Sequence, residues 1–390
     1  MRDARPIPPR MTWPQVHARR LQRHWLADPV PDARPADVCC RIAGAHAQVM
    51  AAAELSIGIR MSTGTRSDVR HALWVDRSLV KTFGPRGTVH LLSAQELPMW
   101  TGALSCVPSG PDGLAPELRL SDAETAEIIA AIDAAVSDAE LTLKELGERV
   151  VAATGPWADA RVIPAFNEMW PRWRRAIIPA ARQGVLCFGP DRGRNVTYTS
   201  PRRWLPGFAP ADPDAATADL VRRYLSGFGP ATPAQFAQWL AAPKRWAIEL
   251  FERLGRELTE VDVEGTPAWL PTEDLGVSEP PPRGIRLLPY FDAYTVGCHP
   301  RAQLFPGPAA QRALSRGQAG NVPVLLVDGV VGGVWHQRRS GSTIHIRVEP
   351  FERLSTHQRR GVGQQAERLA HVLEGKPQLT MGAVEAGRHL

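Results

Sequence analysis

The spacing of apolar residues changes period several times along the chain, and each change predicts an element. Val16, Leu21 and Trp25 recur at helical spacing behind Thr12, whose hydroxyl suits an N-cap. Pro35 opens a second helix with Val38 and Ile42 on one face. Gly44 interrupts it, helical spacing resumes over 49–59, and another helix fits 67–74. Residues 78–83 and 88–93 then read as strands joined by the turn Gly84-Pro85-Arg86-Gly87. Helices followed by a two-stranded ribbon make a winged-helix pattern.

That pattern recurs twice. Thr142 caps a helix over 143–153, a helix is expected through 164–183, and strands at 185–188 and 195–199 flank the turn 189–194. The third set has helices at 217–226, 233–240 and 245–254, with strands at 258–263 and 268–270 around Glu264-Gly265. Beyond the prolines at 280–282 the character turns to β. Strands are expected at 286–288, 322–327, 330–336 and 343–348, with Asp328-Gly329 as a hairpin turn and Ser340-Gly341 as a second. A helix over 356–373 and a strand near Leu379 close the pattern. The fold class is therefore α+β. Its expected organisation is a winged helix at 1–110, a second at 111–210, a third at 211–280, and a β-rich domain at 281–390.

Composition narrows the class. Of 390 residues 44% are hydrophobic and 22% charged, which excludes a disordered chain and a coiled-coil rod. No run approaches the roughly 18 uninterrupted apolar residues of a membrane span. The basic, proline-rich start lacks the apolar core of a secretory signal. Cys39, Cys40, Cys106, Cys187 and Cys298 are scattered and form no CxxC pair, so they read as reduced thiols in the cytoplasm. The net charge is +6, and only Lys81, Lys144, Lys244 and Lys376 of the 46 basic residues are lysine. Codon bias accounts for part of the arginine excess. The basic balance still favours a polyanionic partner.

Generic catalytic motifs are missing: there is no GxGxxG, GxxxxGK[ST], HExxH or GxSxG. The eleven histidines form no metal-ligand spacing. Neither a metal nor a cofactor is expected, and a metal-free reaction or simple binding is. One short segment carries candidate chemistry: Gly44-Ala45-His46-Ala47-Gln48. On a helix His46 and Gln48 would lie about 200° apart. On an extended backbone after a break at Gly44 they would share a side. There His46 can take a proton near neutral pH and Gln48 can orient a water. The alternative is a helix-end histidine beside a capping glutamine.

Two further segments suit nucleic acid. Trp335-His336-Gln337-Arg338-Arg339-Ser340-Gly341-Ser342-Thr343 places a cationic turn on a predicted hairpin. A two-stranded ribbon fits a DNA groove, where arginines meet phosphates. The alternative is a solvated turn. Trp170-Pro171-Arg172-Trp173-Arg174-Arg175 interleaves arginines with aromatics, as a nucleic-acid face does. Its alternative is an amphipathic helix with core tryptophans.

Four stretches, taken in order, resemble the AlkZ/YcaQ-type winged-helix DNA glycosylases. They are Arg86-Gly87-Thr88-Val89-His90-Leu91-Leu92, Tyr224 to Thr232 (YLSGFGPAT), Leu287-Leu288-Pro289-Tyr290-Phe291-Asp292-Ala293-Tyr294, and Val327 to Trp335 (VDGVVGGVW). The resemblance runs from about Thr12 to Leu373. It implies three tandem winged helices plus a β-rich domain around a concave DNA channel. It implies hydrolysis of the N-glycosidic bond of alkylated purines, bulky N7-guanine adducts and interstrand crosslinks included. The family's catalytic Gln-apolar-Gln or Gln-apolar-Asp motif falls at His46-Ala47-Gln48, so the first position departs. A His-apolar-Gln form is similar to a branch tied to self-resistance against bulky guanine alkylators. His46 and Gln48 are the expected catalytic pair. His336, Gln337, Arg338 and Arg339 on the hairpin, with Arg86, Arg172 and Arg174, are the expected DNA contacts. A monomer acting on double-stranded DNA, away from any membrane, is expected. The competing reading is a non-catalytic winged-helix regulator.

Overall fold

The capping signals act where the sequence puts them. The Thr12 hydroxyl accepts from Gln15 N while the Gln15 side chain bonds Thr12 N, so a helix runs Trp13–Arg23. The same reciprocal bonds join Thr142 and Glu145 at the start of the helix Leu143–Thr154. Each box satisfies two orphan N–H groups of a helix's first turn. The computed structural model describes residues 8–108, 110, 113–165, 168–276 and 283–385. The proline cluster at 280–282 lies outside the described residues. By contacts the chain divides into two units that interleave along the sequence. One is Met1–Ala72, Val221–Trp239 and Lys244–Leu390; the other is Leu73–Leu220 and Leu240–Pro243.

In the first unit, the strand Arg10–Met11 joins the hairpin Leu258–Val263 and Thr266–Pro271 as a parallel neighbour of the former. Met11, Val16, Val261, Val263, Ala268 and Leu270 close a small core there. A five-stranded sheet runs in the order Ile285–Leu288, Val324–Val327, Val330–Ser340, Thr343–Pro350, Lys376–Met381, and only its last pair is parallel. Asp328 and Gly329 both have positive φ, as a two-residue hairpin turn requires. The helix Thr356–Val372 connects the parallel pair and buries Val362, Ala366, Leu369 and Ala370. The helix Met50–Gly58 leans on its end: a Cβ on Gly58 would lie 2.4 Å from Val372 Cγ1, so only glycine fits.

A polar knot lies inside this unit. Arg60 Nη1 and Nη2 donate to the two oxygens of Asp292 at 2.8 and 2.9 Å, and both side chains are fully buried. Ser56 Oγ donates to the same carboxylate at 2.6 Å, and Arg60 Nε donates to the His24 carbonyl at 2.9 Å. Asp292 also accepts from Tyr294 N at 3.0 Å, capping the short helix Ala293–Gly297. Full pairing makes a buried charge tolerable.

The second unit holds the hairpin Leu79–Phe83 and Val89–Ser93 and the helices Leu97–Ser105, Asp122–Val136 and Leu143–Thr154. Leu141–Thr142, Asn195–Thr199 and Cys187–Arg192 form a three-stranded sheet. Ile128, Ile132, Leu146, Trp173 and Leu186 lie in its core. The helix expected over 164–183 is not there. The chain instead makes a hairpin of Arg161–Ala165 and Glu168–Pro171, a tight turn at Arg172–Ala176, and a short helix at Ile177–Arg182. Pro171 explains the difference: inside a helix it would remove a hydrogen bond and clash with the preceding turn.

Candidate active site and DNA-contact face

The break at Gly44 makes the first part of the candidate catalytic segment extended, and Gln48 falls in a bend after it. The helix Pro35–Arg41 stops, and Ala43 and Gly44 follow with φ of 53° and 90°. Gly44 N donates to the Cys39 carbonyl at 2.8 Å, closing the helix end. Ala45–His46 is then a short strand. Val49, not Gln48, precedes the next helix. His46 is 8% exposed and Ala47 2%, whereas Gln48 is exposed. The segment therefore has a buried imidazole and, two residues on, an amide open to solvent.

An aromatic neighbour of His46 comes from a distant part of the chain. The His46 ring stacks on Phe291, with centroids 4.5 Å apart and planes at 29°. Phe291 has a φ of 54°, left-handed backbone that costs a bulky L-residue about 1–2 kcal/mol. Its N–H donates to the Gly320 carbonyl at 2.9 Å. Asp292 follows at once and is locked to Arg60. Both residues belong to the 287–294 stretch, whose aromatic and acidic content is visible in the sequence but whose partners His46 and Arg60 lie more than 200 residues away.

The predicted hairpin is present, with Val330–Ser340 antiparallel to Thr343–Pro350. Side chains alternate across it. His336 lies opposite Arg347 and Arg338 opposite His345. Arg338, His345 and Arg347 are exposed, while Ile344, Ile346 and Val348 are buried. His336 and Gln337 are half-buried, and burial lowers the His336 pKa. Arg339 is tied down: it donates to the carbonyls of Leu373 at 2.7 Å, Glu374 at 3.2 Å and Gly341 at 3.0 Å. Its guanidinium thus closes the end of the C-terminal helix. Arg338, Arg339 and Arg347 are the exposed arginines of the ribbon; Arg339 is held by backbone carbonyls, and only the strand register places Arg347 on the face of Arg338.

The remaining expected contacts all lie in the second unit. Arg86 sits half-buried in the hairpin turn with a φ of 62°. Arg172 donates to the carbonyls of Glu117 and Arg119 and approaches Glu124 at 3.6 Å. Arg174 stacks its guanidinium on the Trp170 ring, 3.4 Å from its centroid, and Trp173 is core. Trp170, Trp173 and Arg174, with Glu148, Asp159 and Arg161, line a cavity of about 700 Å³ that Arg86 and Arg172 do not reach. Among the described residues no group of three or more His, Cys, Asp or Glu gathers as a metal site, and no helix is long and apolar enough to cross a membrane.

The AlkZ-like DNA glycosylase family matches residues 40–372. An interstrand DNA cross-link repair glycosylase of Streptomyces sahachiroi is 34% identical over 353 residues, which is 83% of this chain and 87% of that protein. The solved structure of the Streptomyces sahachiroi DNA glycosylase AlkZ superposes with a TM-score of 0.79 at 30% identity, covering 96% of this chain and all of that one. The chain belongs to the AlkZ-like family and is a DNA glycosylase with an α+β fold.

Proposed function

We propose that this glycosylase releases bulky N7-alkylated guanines from double-stranded DNA, interstrand crosslinks included, with His46 as general base and Gln48 aligning the water. The observation that carries this is the short strand Ala45–His46 that follows the break at Gly44, with the His46 imidazole held inside and the Gln48 amide, in a bend two residues on, at the surface. Alkylation at N7 leaves the guanine cationic, so the base departs without strong acid catalysis. What the reaction needs is a delivered water and electrostatic support for the sugar cation, which a base and an amide supply. The curated relative's name, a cross-link repair glycosylase, supports the crosslink half of the reading. Self-resistance to a guanine-alkylating genotoxin is the setting that fits the His-apolar-Gln form. A monomer acting in the cytoplasm completes the reading. We assign the three helix-and-hairpin groups to winged helices at 1–110, 111–210 and 211–280, ahead of a β-rich domain at 281–390.

The test uses duplexes carrying an N7-alkylguanine, with abasic sites as the readout and an enzyme-free control for spontaneous depurination. His46→Ala should abolish release while leaving DNA affinity nearly intact. Gln48→Ala should lower the rate about 10²-fold or more, the scale of a general-base or water-positioning contribution. Near wild-type rates in both variants would place the chemistry elsewhere.

A further inference from the structure

We infer that Phe291 is a positioning residue for His46: a strained aromatic shelf that fixes the plane of the imidazole. The inference rests on the reading of His46 as the base. Three observations converge. The first is the stack itself, at 4.5 Å and 29° between the planes. A phenyl face offers the imidazole no hydrogen bond to turn toward, so contact with it constrains the tilt of the ring. The second is the backbone. Phe291 holds a φ of 54°, which a bulky side chain rarely adopts, and strained backbone of this kind persists where the surroundings over-determine it and clusters at functional sites.

The third observation is the clamp that imposes the strain. The Phe291 N–H is bonded to the Gly320 carbonyl at 2.9 Å. Gly320 itself has a φ of 104°, and a Cβ there would sit 3.0 Å from Phe291 Cδ1 and 3.2 Å from Phe291 Cα. Only glycine lets the two backbones approach so closely. On the other side Asp292 is held by Arg60 and Ser56. Further back, Leu288 belongs to the five-stranded sheet and its carbonyl accepts from Trp335 Nε1 at 2.8 Å. Phe291 is thus fixed from both directions while its own ring stays partly open. A residue needed only for packing would sit as well on relaxed backbone. The geometry spends conformational strain to put a flat surface under His46.

The experiment follows single-turnover base release, DNA affinity and melting temperature in the full chain. Phe291→Leu should slow release about 10- to 100-fold, the scale of a small misplacement of a catalytic group, with affinity unchanged. Phe291→Tyr, which restores a ring face, should recover most of the rate. Phe291→Gly relaxes the backbone and removes the ring, so it should keep the wild-type melting temperature within a few degrees yet lose rate like Phe291→Leu. A packing residue would lose stability in step with activity. If His46→Ala is inactive but Phe291→Leu and Phe291→Gly retain wild-type rates, the shelf is wrong and the base assignment stands. If His46→Ala keeps the wild-type rate, both fall together.

Discussion

Asp292 illustrates what one residue can do when it has lost all contact with water. Burial alone would push its carboxyl pKa up, but Arg60, Ser56 and the Tyr294 N–H outweigh that and hold it below the ordinary value. The carboxylate is therefore ionised in the folded chain, and removing it strands Arg60 as a buried charge without its anion. Asp292→Ala should cost about 3–5 kcal/mol, the usual penalty for breaking a buried pair from one side. Denaturant unfolding gives the value directly. A loss under 1 kcal/mol would mean that water or a local shift replaces the pair. Neither this knot nor the Phe291 shelf could be read from the sequence. Arg60 and Asp292 are 232 positions apart, and nothing local to either residue marks the other. His46 was legible for the opposite reason: Gly44 beside it is a local stop, and local stops are what sequence periodicity records best.

At the scale of the element, the ribbon shows how register corrects composition. Sequence alone presents Arg338 and Arg339 as an equivalent basic pair. Alternation along a strand sends neighbours to opposite faces, and Arg339 goes to the helix end at Leu373 and Glu374. If the outer face meets DNA, Arg338→Ala and Arg347→Ala should each make the slope of log affinity against log salt shallower by about 0.9, one phosphate apiece. The weakening should be equal for damaged and undamaged duplexes, since phosphate contacts carry no information about the lesion. Arg339→Ala should leave the slope alone and lower the melting temperature. A change of slope in Arg339→Ala but not in Arg338→Ala would reverse the assignment of faces. The hairpin around 161–171 is hidden in the sequence because tryptophan and methionine suit either a helix or a strand, and the helical spacing around it masks the break that Pro171 imposes. Capped helices such as Trp13–Arg23 and Leu143–Thr154 were legible because each cap is a contact between residues three apart.

For the whole molecule, the buried histidines decide how it meets acid. His24 is fully enclosed, edge-on to Phe228 and Tyr294. Burial, then the charges of Arg60, Arg41 and Arg20, lower its pKa to about 3, with Asp292 opposing. His17 is lowered to about 4, by burial first and then Arg20, against a bond involving the Gln303 backbone. Both are neutral in the folded chain, whereas the unfolded chain takes up protons near the ordinary histidine value of about 6.5. Between these limits the unfolded state binds more protons, so stability rises with pH. The contribution is whole above about 6.5, declines as pH falls below it, and is exhausted once the folded-state values of about 4 and about 3 are passed. From pH 7 to 5 the loss should be roughly 2 kcal/mol for each histidine. Urea unfolding at the two pH values measures it, with an unchanged m-value confirming that the unfolded state is the same. His24→Phe keeps a ring between Phe228 and Tyr294 and leaves the backbone carbonyl that Arg60 uses, so it should remove about half of the pH dependence. Equal stabilities at pH 7 and pH 5 in the unaltered chain would show that neither histidine is held neutral and that both take up protons inside the fold as readily as in the unfolded chain.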